Sequence, residues 1–266
     1  MPTTTDESPT ADLLVTARGP IRLLELNRPG QLNAMSEAMH TALAGVWSLL
    51  ADDDEARVVV ITGRGRAFSA GGDFDVMTRV QSDAEFRDRN VREARDIMAG
   101  MVRCRLPVVA AVNGPAVGLG CSLALLSDLV VIADDAFLAD PHVQVGLVAG
   151  DGGALVLPLL VGLHRAKELL FLGDRVPAAD AVRLGLANRA VPADQVLDEA
   201  MALAERLAAL PRQALQDTKR AVNLHLERAL ADVAEPALLA ERESMQSPDH
   251  VRIVGDVIAR ARRAGR

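Results

Sequence analysis

Residues 107–155 read PVVAAVNGPAVGLGCSLALLSDLVVIADDAFLADPHVQVGLVAGDGGAL. The run 107–112 is short, apolar and valine-rich, the pattern of a strand buried on both faces. Asn113 and Gly114 break it, and a loop carrying Gly114, Gly118 and Gly120 opens an apolar helix. Residues 128–133 then read as a second buried strand and 136–139 as a short one. Strand, glycine-bearing loop, helix and strand again is the unit of a wound α/β core.

Working outward, two strand-like runs at 13–17 and 21–26 flank the turn Arg18-Gly19-Pro20 and predict a hairpin. Ser36 is placed to cap a helix to about Leu50, whose Met39, Leu43, Val46, Trp47 and Leu50 have helical spacing. A strand at 57–62, a glycine-rich loop at 63–72 and a charged helix at 82–103 follow. Beyond the quoted stretch, 151–172 reads as a helix in two pieces, 177–184 as a short helix and 188–191 as a strand. From 193 to 263 the pattern is almost wholly helical. The chain therefore divides into a leader at 1–11, read as disordered from its Thr, Asp, Glu, Ser and Pro content, an α/β core at 12–192 and a helical region at 193–266.

Composition excludes several classes. A net charge of −7 argues against nucleic acid as the main partner. Five Phe, one Trp and no Tyr leave little for base stacking. Two cysteines, Cys104 and Cys121, make neither a disulfide framework nor a cysteine-rich metal site, and with no signal-peptide pattern they point to a reducing cytoplasm. The mostly apolar run 152–163 contains Pro158 and is too short to span a membrane. His40, His164, His225 and His250 show no metal-like pairing, so no metal is expected.

Two loops are candidates for chemistry. The first, 63–73, places consecutive small residues where a ligand can approach the backbone, although a strand-to-helix turn has the same composition. It lacks the spacing of a dinucleotide or phosphate-loop motif. The second, 113–123, follows a strand and opens a helix, whose first N–H groups are free and partly positive. Two such loops facing each other would give two donors to one oxygen, the geometry of an oxyanion hole.

Three segments carry a family resemblance: AFSAGGDF at 67–74, the stretch quoted above, and ELLFLGDRVPAADAVRLGLANRAV at 168–191. Together they resemble the crotonase, or enoyl-CoA hydratase/isomerase, superfamily from about Leu13 to the C-terminal helices. The resemblance implies a spiral of ββα repeats with C-terminal helices that associate into a homotrimer or a dimer of trimers. It implies an acyl-CoA substrate, with coenzyme A as part of that substrate and no tightly bound cofactor. Carried over by position, the thioester-polarising donors are the N–H groups of Ala70 and Leu119. Gly71 and Gly72 keep the first loop slim enough for the substrate to pass. Arg28 and Arg66 are candidates for the coenzyme A phosphates, or are solvated surface charges. Gln31 stands where the family usually has a basic residue before Leu32-Asn33-Ala34.

The chain departs from the pattern at the catalytic carboxylates. Hydratases of this family use two glutamates, and here those positions hold Ser122 and His142. His142 precedes Asp151 by nine residues, and a carboxylate there can orient the imidazole and stabilise its cation, though Asp151 could equally cap a helix. This spacing resembles the β-diketone hydrolases typified by 6-oxocamphor hydrolase, which break a carbon–carbon bond by retro-Claisen chemistry; that enzyme's second-loop histidine is Leu119 here. Ser122 is a candidate for a substrate hydrogen bond. Asp73 reads as structural, Asp75 and Asp140 as acids that could approach the pocket and are solvated by default, and Cys121 as packing. Three functions follow as expectations: hydration or isomerisation of an enoyl-CoA, retro-Claisen cleavage of a β-diketone or β-ketoacyl-CoA, and acyl-CoA binding without turnover.

Overall fold

The computed structural model describes residues 8–263. A hairpin of β1 (Leu13–Arg18) and β2 (Ile21–Leu26) opens the main sheet and is, among the described residues, its one antiparallel strand pair. Parallel strands β3 (Val58–Gly63), β4 (Val108–Val112), β6 (Leu129–Ala133) and β9 (Arg189–Val191) extend it in the order β1-β2-β3-β4-β6-β9. Every residue of β3 and β4 is buried, as their unbroken apolar runs predict. A second sheet joins β5 (Ala116–Val117), β7 (Phe137–Ala139) and β8 (Val176–Pro177). The α/β expectation and the helical C-terminal region both hold.

Helices α1 (Glu37–Asp52), α2 (Phe74–Ser82), α3 (Ala84–Arg103), α4 (Leu119–Leu125), α5 (Gly153–Leu172) and α6 (Ala178–Leu184) intervene. They are followed by α7 (Val196–Ala208), α8 (Arg212–Ala229), α9 (Glu235–Ser244) and α10 (Pro248–Arg263). Ser36 caps α1 by accepting from the Met39 N–H at 3.1 Å. The single charged helix expected from 82 is instead preceded by α2; Asp83 divides the two by accepting from Phe86 N–H, which starts α3. Helix α5 has its two pieces, broken at Gly162, where φ is 75° and ψ is 162°.

Two boundaries need correction. Of the proposed leader, residues 1–7 lie outside the described residues, but 8–11 are tied down: Val15 N–H donates to Ser8 Oγ at 3.0 Å and Leu13 N–H to Thr10 Oγ1 at 3.1 Å. Residue 193 is no seam either, because α7 buries Val196, Ala200 and Ala204 against β3, β4 and β6 as part of the core. The change there is one of pattern, from strand–helix alternation to helices alone. No helix among the described residues is long and apolar enough to cross a membrane.

Helices α1 and α3 meet at Trp47, the one tryptophan of the chain, which packs over Gly100. A Cβ at Gly100 would lie 2.9 Å from Trp47 Cδ1 and 3.0 Å from its Cβ. Gly100→Ala is therefore expected to destabilise the protein by roughly 1–3 kcal/mol through overpacking. Urea unfolding followed by Trp47 fluorescence checks this; an unchanged midpoint would show that the two helices separate without cost.

Candidate functional site

The two glycine loops run side by side. Ser69 N–H donates to Pro115 O at 3.1 Å and Val117 N–H to Ser69 O at 2.9 Å, a parallel pairing that sets Ser69 beside Ala116. Beyond this pairing Gly71 lies against Val117 and Gly118, and Gly72 and Leu119 are the next residue of each loop. Gly71 and Gly118 pass in contact at the crossing, where a Cβ on Gly118 would lie 3.8 Å from Gly71 Cα and 3.6 Å from His142 Cε1. The loops therefore meet against the His142 ring.

A third segment pins the first loop. Leu32 and Asn33 adopt left-handed backbone, with φ 52° and 54°, uncommon for side-chain-bearing residues. The turn is held by the Asn33 side chain, which accepts from Arg28 N–H and donates to Arg64 O and Ala67 O at 2.8–2.9 Å. It delivers Leu32 O to the Ala70 N–H at 2.9 Å. This corrects the position of the first donor, since the Ala70 N–H is already used inside the protein. Among the described residues, the N–H groups of Gly72 and Leu119 donate to no protein acceptor. Arg28 is also occupied: it donates to Asp73 Oδ2 at 2.7 Å and to Ala34 O at 2.6 Å, bracing the residue that caps α2. That engagement takes it out of the phosphate-binding candidates, while Arg66 is exposed and has no ion-pair partner among the described residues.

Behind the loops lies a buried cluster of ionisable groups. A 3-10 turn (His142–Val145) after β7 carries His142, whose Nδ1 faces Asp140 Oδ1 at 2.5 Å and whose Nε2 faces Asp151 Oδ2 at 3.3 Å. Ser122, in the first turn of α4, donates from Oγ to Asp151 Oδ1 at 3.3 Å. Thus His142, Asp151 and Ser122 form one contiguous unit. Asp140 belongs to it too, and is not the solvated acid expected: only 5% of it is exposed. The Asp-x-His spacing at 140–142 was the available signal.

The turn Gly150-Asp151-Gly152-Gly153 lets these groups converge. Gly152 has φ 139°, and a Cβ there would fall 2.7 Å from Ser122 Oγ. A Cβ on Gly153 would fall 1.8 Å from Asp140 Oδ2. Any larger residue at either place would push apart groups that now touch. Asp140 Oδ2 sits there at the N-terminus of α5, whose partial positive charge favours a carboxylate.

The fourth member is Glu241 on α9, buried and 90 residues from Asp151, with no local sequence signal. One atom each from His142, Asp151 and Glu241 lies within 4.8 Å of the others. Burial alone would lower the His142 pKa, but the charges of Asp151 and Asp140 outweigh it and hold the pKa well above the ordinary value. Burial would raise the Asp151 pKa, yet the His142 cation and the Ser122 hydroxyl bring it below the usual carboxylate range. Glu241 is left to carry the cost: burial, then the nearby Asp151 charge, pushes it up to about 8. Within the cluster the shifts run in opposite senses, favouring the charged forms of His142 and Asp151 and the neutral form of Glu241. Cys121, beside it, is fully buried with its thiol pKa raised by burial, which leaves it unreactive.

A site of this form offers two backbone donors for an oxyanion and, next to them, a carboxylate able to move a proton. The sequence profile of the family described as Enoyl-CoA hydratase/isomerase matches residues 16–252. A crystal structure of an enoyl-CoA hydratase/isomerase from Mycobacterium paratuberculosis is 51% identical, with a TM-score of 0.91 over 94% of this chain and 99% of that one. A monofunctional enoyl-CoA isomerase from M. smegmatis is 31% identical, with a TM-score of 0.69 over 84% of this chain and 99% of its own. A probable enoyl-CoA hydratase of Mycobacterium bovis is 33% identical over 88% of each chain. The chain belongs to the enoyl-CoA hydratase/isomerase family.

Proposed function

We propose that this protein binds an acyl-CoA thioester, stabilises its enolate on the N–H groups of Gly72 and Leu119, and hydrates or isomerises an enoyl-CoA. The observation that supports this most is the pair of unpartnered N–H groups just past the pairing of two loops, against a buried acid–base cluster. An enolate oxygen there would gain two preorganised hydrogen bonds in a site screened from water.

Within the cluster, Asp151 is the base in our reading. Both ring nitrogens of His142 face carboxylates, and its raised pKa keeps it a cation. His142 therefore orients and charges Asp151 rather than accepting a proton itself, and Ser122 fixes the other carboxylate oxygen. Arg66, exposed at the first loop, is the remaining candidate for the coenzyme A phosphates. Retro-Claisen cleavage is the second reading, favoured by the His142–Asp151 contact, since Asp151 could also activate water against a carbonyl.

We further propose self-association through α5. Its Leu159, on the first piece, and Leu163 and Phe171, on the second, are 49%, 65% and 66% exposed, apolar surface that a second copy would cover. A trimer or a dimer of trimers is expected by light scattering on the purified protein. Leu163→Glu with Phe171→Glu should shift the mass to the single chain, and an unchanged assembly would remove α5 from the interface.

Incubation with crotonyl-CoA, acetoacetyl-CoA and a cyclic β-diketone, read by mass spectrometry, tests the chemistry. Addition of water to crotonyl-CoA is expected. Diketone cleavage without coenzyme A would favour the second reading, and binding without turnover would favour a non-catalytic protein. Asp151→Asn should lower turnover by about 100-fold or more while leaving thioester affinity nearly unchanged. Wild-type turnover in that folded variant would sink Asp151 as the base.

A further inference from the structure

We propose that Asp151 and Glu241 form a carboxyl pair sharing one proton, in which Glu241 is the acid member that protonates the substrate and Asp151 the base. The two usual glutamate positions are empty of carboxylates, held by Ser122 and His142, yet the fold brings two carboxyl groups back to the same place from other elements. Asp151 comes from the glycine turn before α5 and Glu241 from α9. The inference rests on the hydratase reading and extends it to the C-terminal helices.

The geometry that carries it is independent of any titration. Glu241 is 5% exposed, and its Oε2 is buried without a hydrogen-bond partner. A buried carboxylate oxygen left bare costs far more than a neutral carboxyl in the same place. Gly150 yields the room: a Cβ there would fall 2.6 Å from Glu241 Oε2. A carboxyl held by a backbone hydrogen bond from Gly150 but with Oε2 unpartnered, packed within 4.8 Å of Asp151 and His142, is placed to exchange a proton with Asp151.

The surrounding charges agree. Asp151 and Asp140 oppose ionisation of Glu241, and His142 only partly offsets them. On α3, which packs against α9, Asp88 is taken by Arg242 at 2.6 Å. Two carboxyl groups whose surroundings drive their pKa values apart form an acid–base pair.

The step balances. Water oxygen bonds to Cβ of the enoyl thioester, its proton passes to the Asp151 carboxylate, and the electron pair of the double bond moves onto the thioester oxygen as an enolate. The enolate then collapses as Cα takes the proton of Glu241. Asp151 now holds a proton and Glu241 a charge, and one transfer between them restores the resting state.

Three measurements on wild type and Glu241→Gln test this. Infrared spectra near neutral pH should show a buried carboxylic acid C=O band in the wild type that fades toward pH 8 and is missing from E241Q. The folded pKa of about 8 lies above the ordinary glutamate value of 4.5, so ionisation of Glu241 opposes folding. Wild-type stability should accordingly fall relative to E241Q as pH rises from 4.5 to 8, with both folded and alike at the acid end. Turnover of crotonyl-CoA should drop about 100-fold or more in E241Q, and its residual activity should lack the wild type's alkaline fall. An identical carboxyl band in both proteins overturns the shared proton. Wild-type turnover with the alkaline fall intact in E241Q overturns the acid role, leaving Glu241 as packing. A wild type that hydrates no enoyl thioester overturns the functional reading and the step with it, while the infrared band separately decides the shared proton.

Discussion

A histidine is buried between two carboxyl groups behind the glycine loops of this protein, and the site is arranged around it. His142 lies between Asp140 and Asp151, 9% of its side chain exposed, with both ring nitrogens facing oxygen. Removing charges from water is expensive, and a group left unpaired in such a place costs several kcal/mol, on the order of 3–5. Every neighbour is consistent with that constraint. Asp140 lies at the positive end of α5, Ser122 donates to Asp151, and the Glu241 pKa is pushed up to about 8, toward the neutral form. Substituting any one of them changes the proton affinity of the rest.

The loops obey a different constraint, the accounting of backbone donors. Of consecutive N–H groups in the first loop, Ser69 is bonded to Pro115 O and Ala70 to Leu32 O, and Gly72 is left over. Of those at the start of α4, Leu119 is left over because a helix's first residues have no partner within it. The strained Leu32–Asn33 turn decides which donor of the first loop is consumed. A site for an oxyanion is thus a by-product of two regular pairings that stop side by side.

Membership of the enoyl-CoA hydratase/isomerase family and departure from its glutamates are reconciled by separating these two layers. In the proposed function the backbone layer, shared through the fold, meets the carbonyl oxygen. The side-chain layer moves protons in that proposal, with a donor set other than the two glutamates. Side chains can be exchanged without moving the loops, since none of the loop N–H groups depends on Ser122 or His142 for its direction.

By itself, the sequence determined the α/β class, the hairpin, the buried parallel strands, the capped α1 and the two loops, because these follow from local periodicity, caps and glycine placement. Motif spacing was enough to single out Leu119, Ser122, His142 and Asp151. The remainder depended on contacts between distant segments. That Ala70 is bonded and Gly72 is not follows from Leu32, nearly forty residues earlier in the chain. That Arg28 braces Asp73 follows from a pairing across 45 residues. That His142 is clasped on both sides, and that Glu241 completes the cluster from α9, required the glycine turn to bring distant elements together, with atoms of His142, Asp151 and Glu241 within 4.8 Å of one another. Proton affinities in such a cluster depend on distances of a few ångströms between charges, and only the tertiary structure sets those distances.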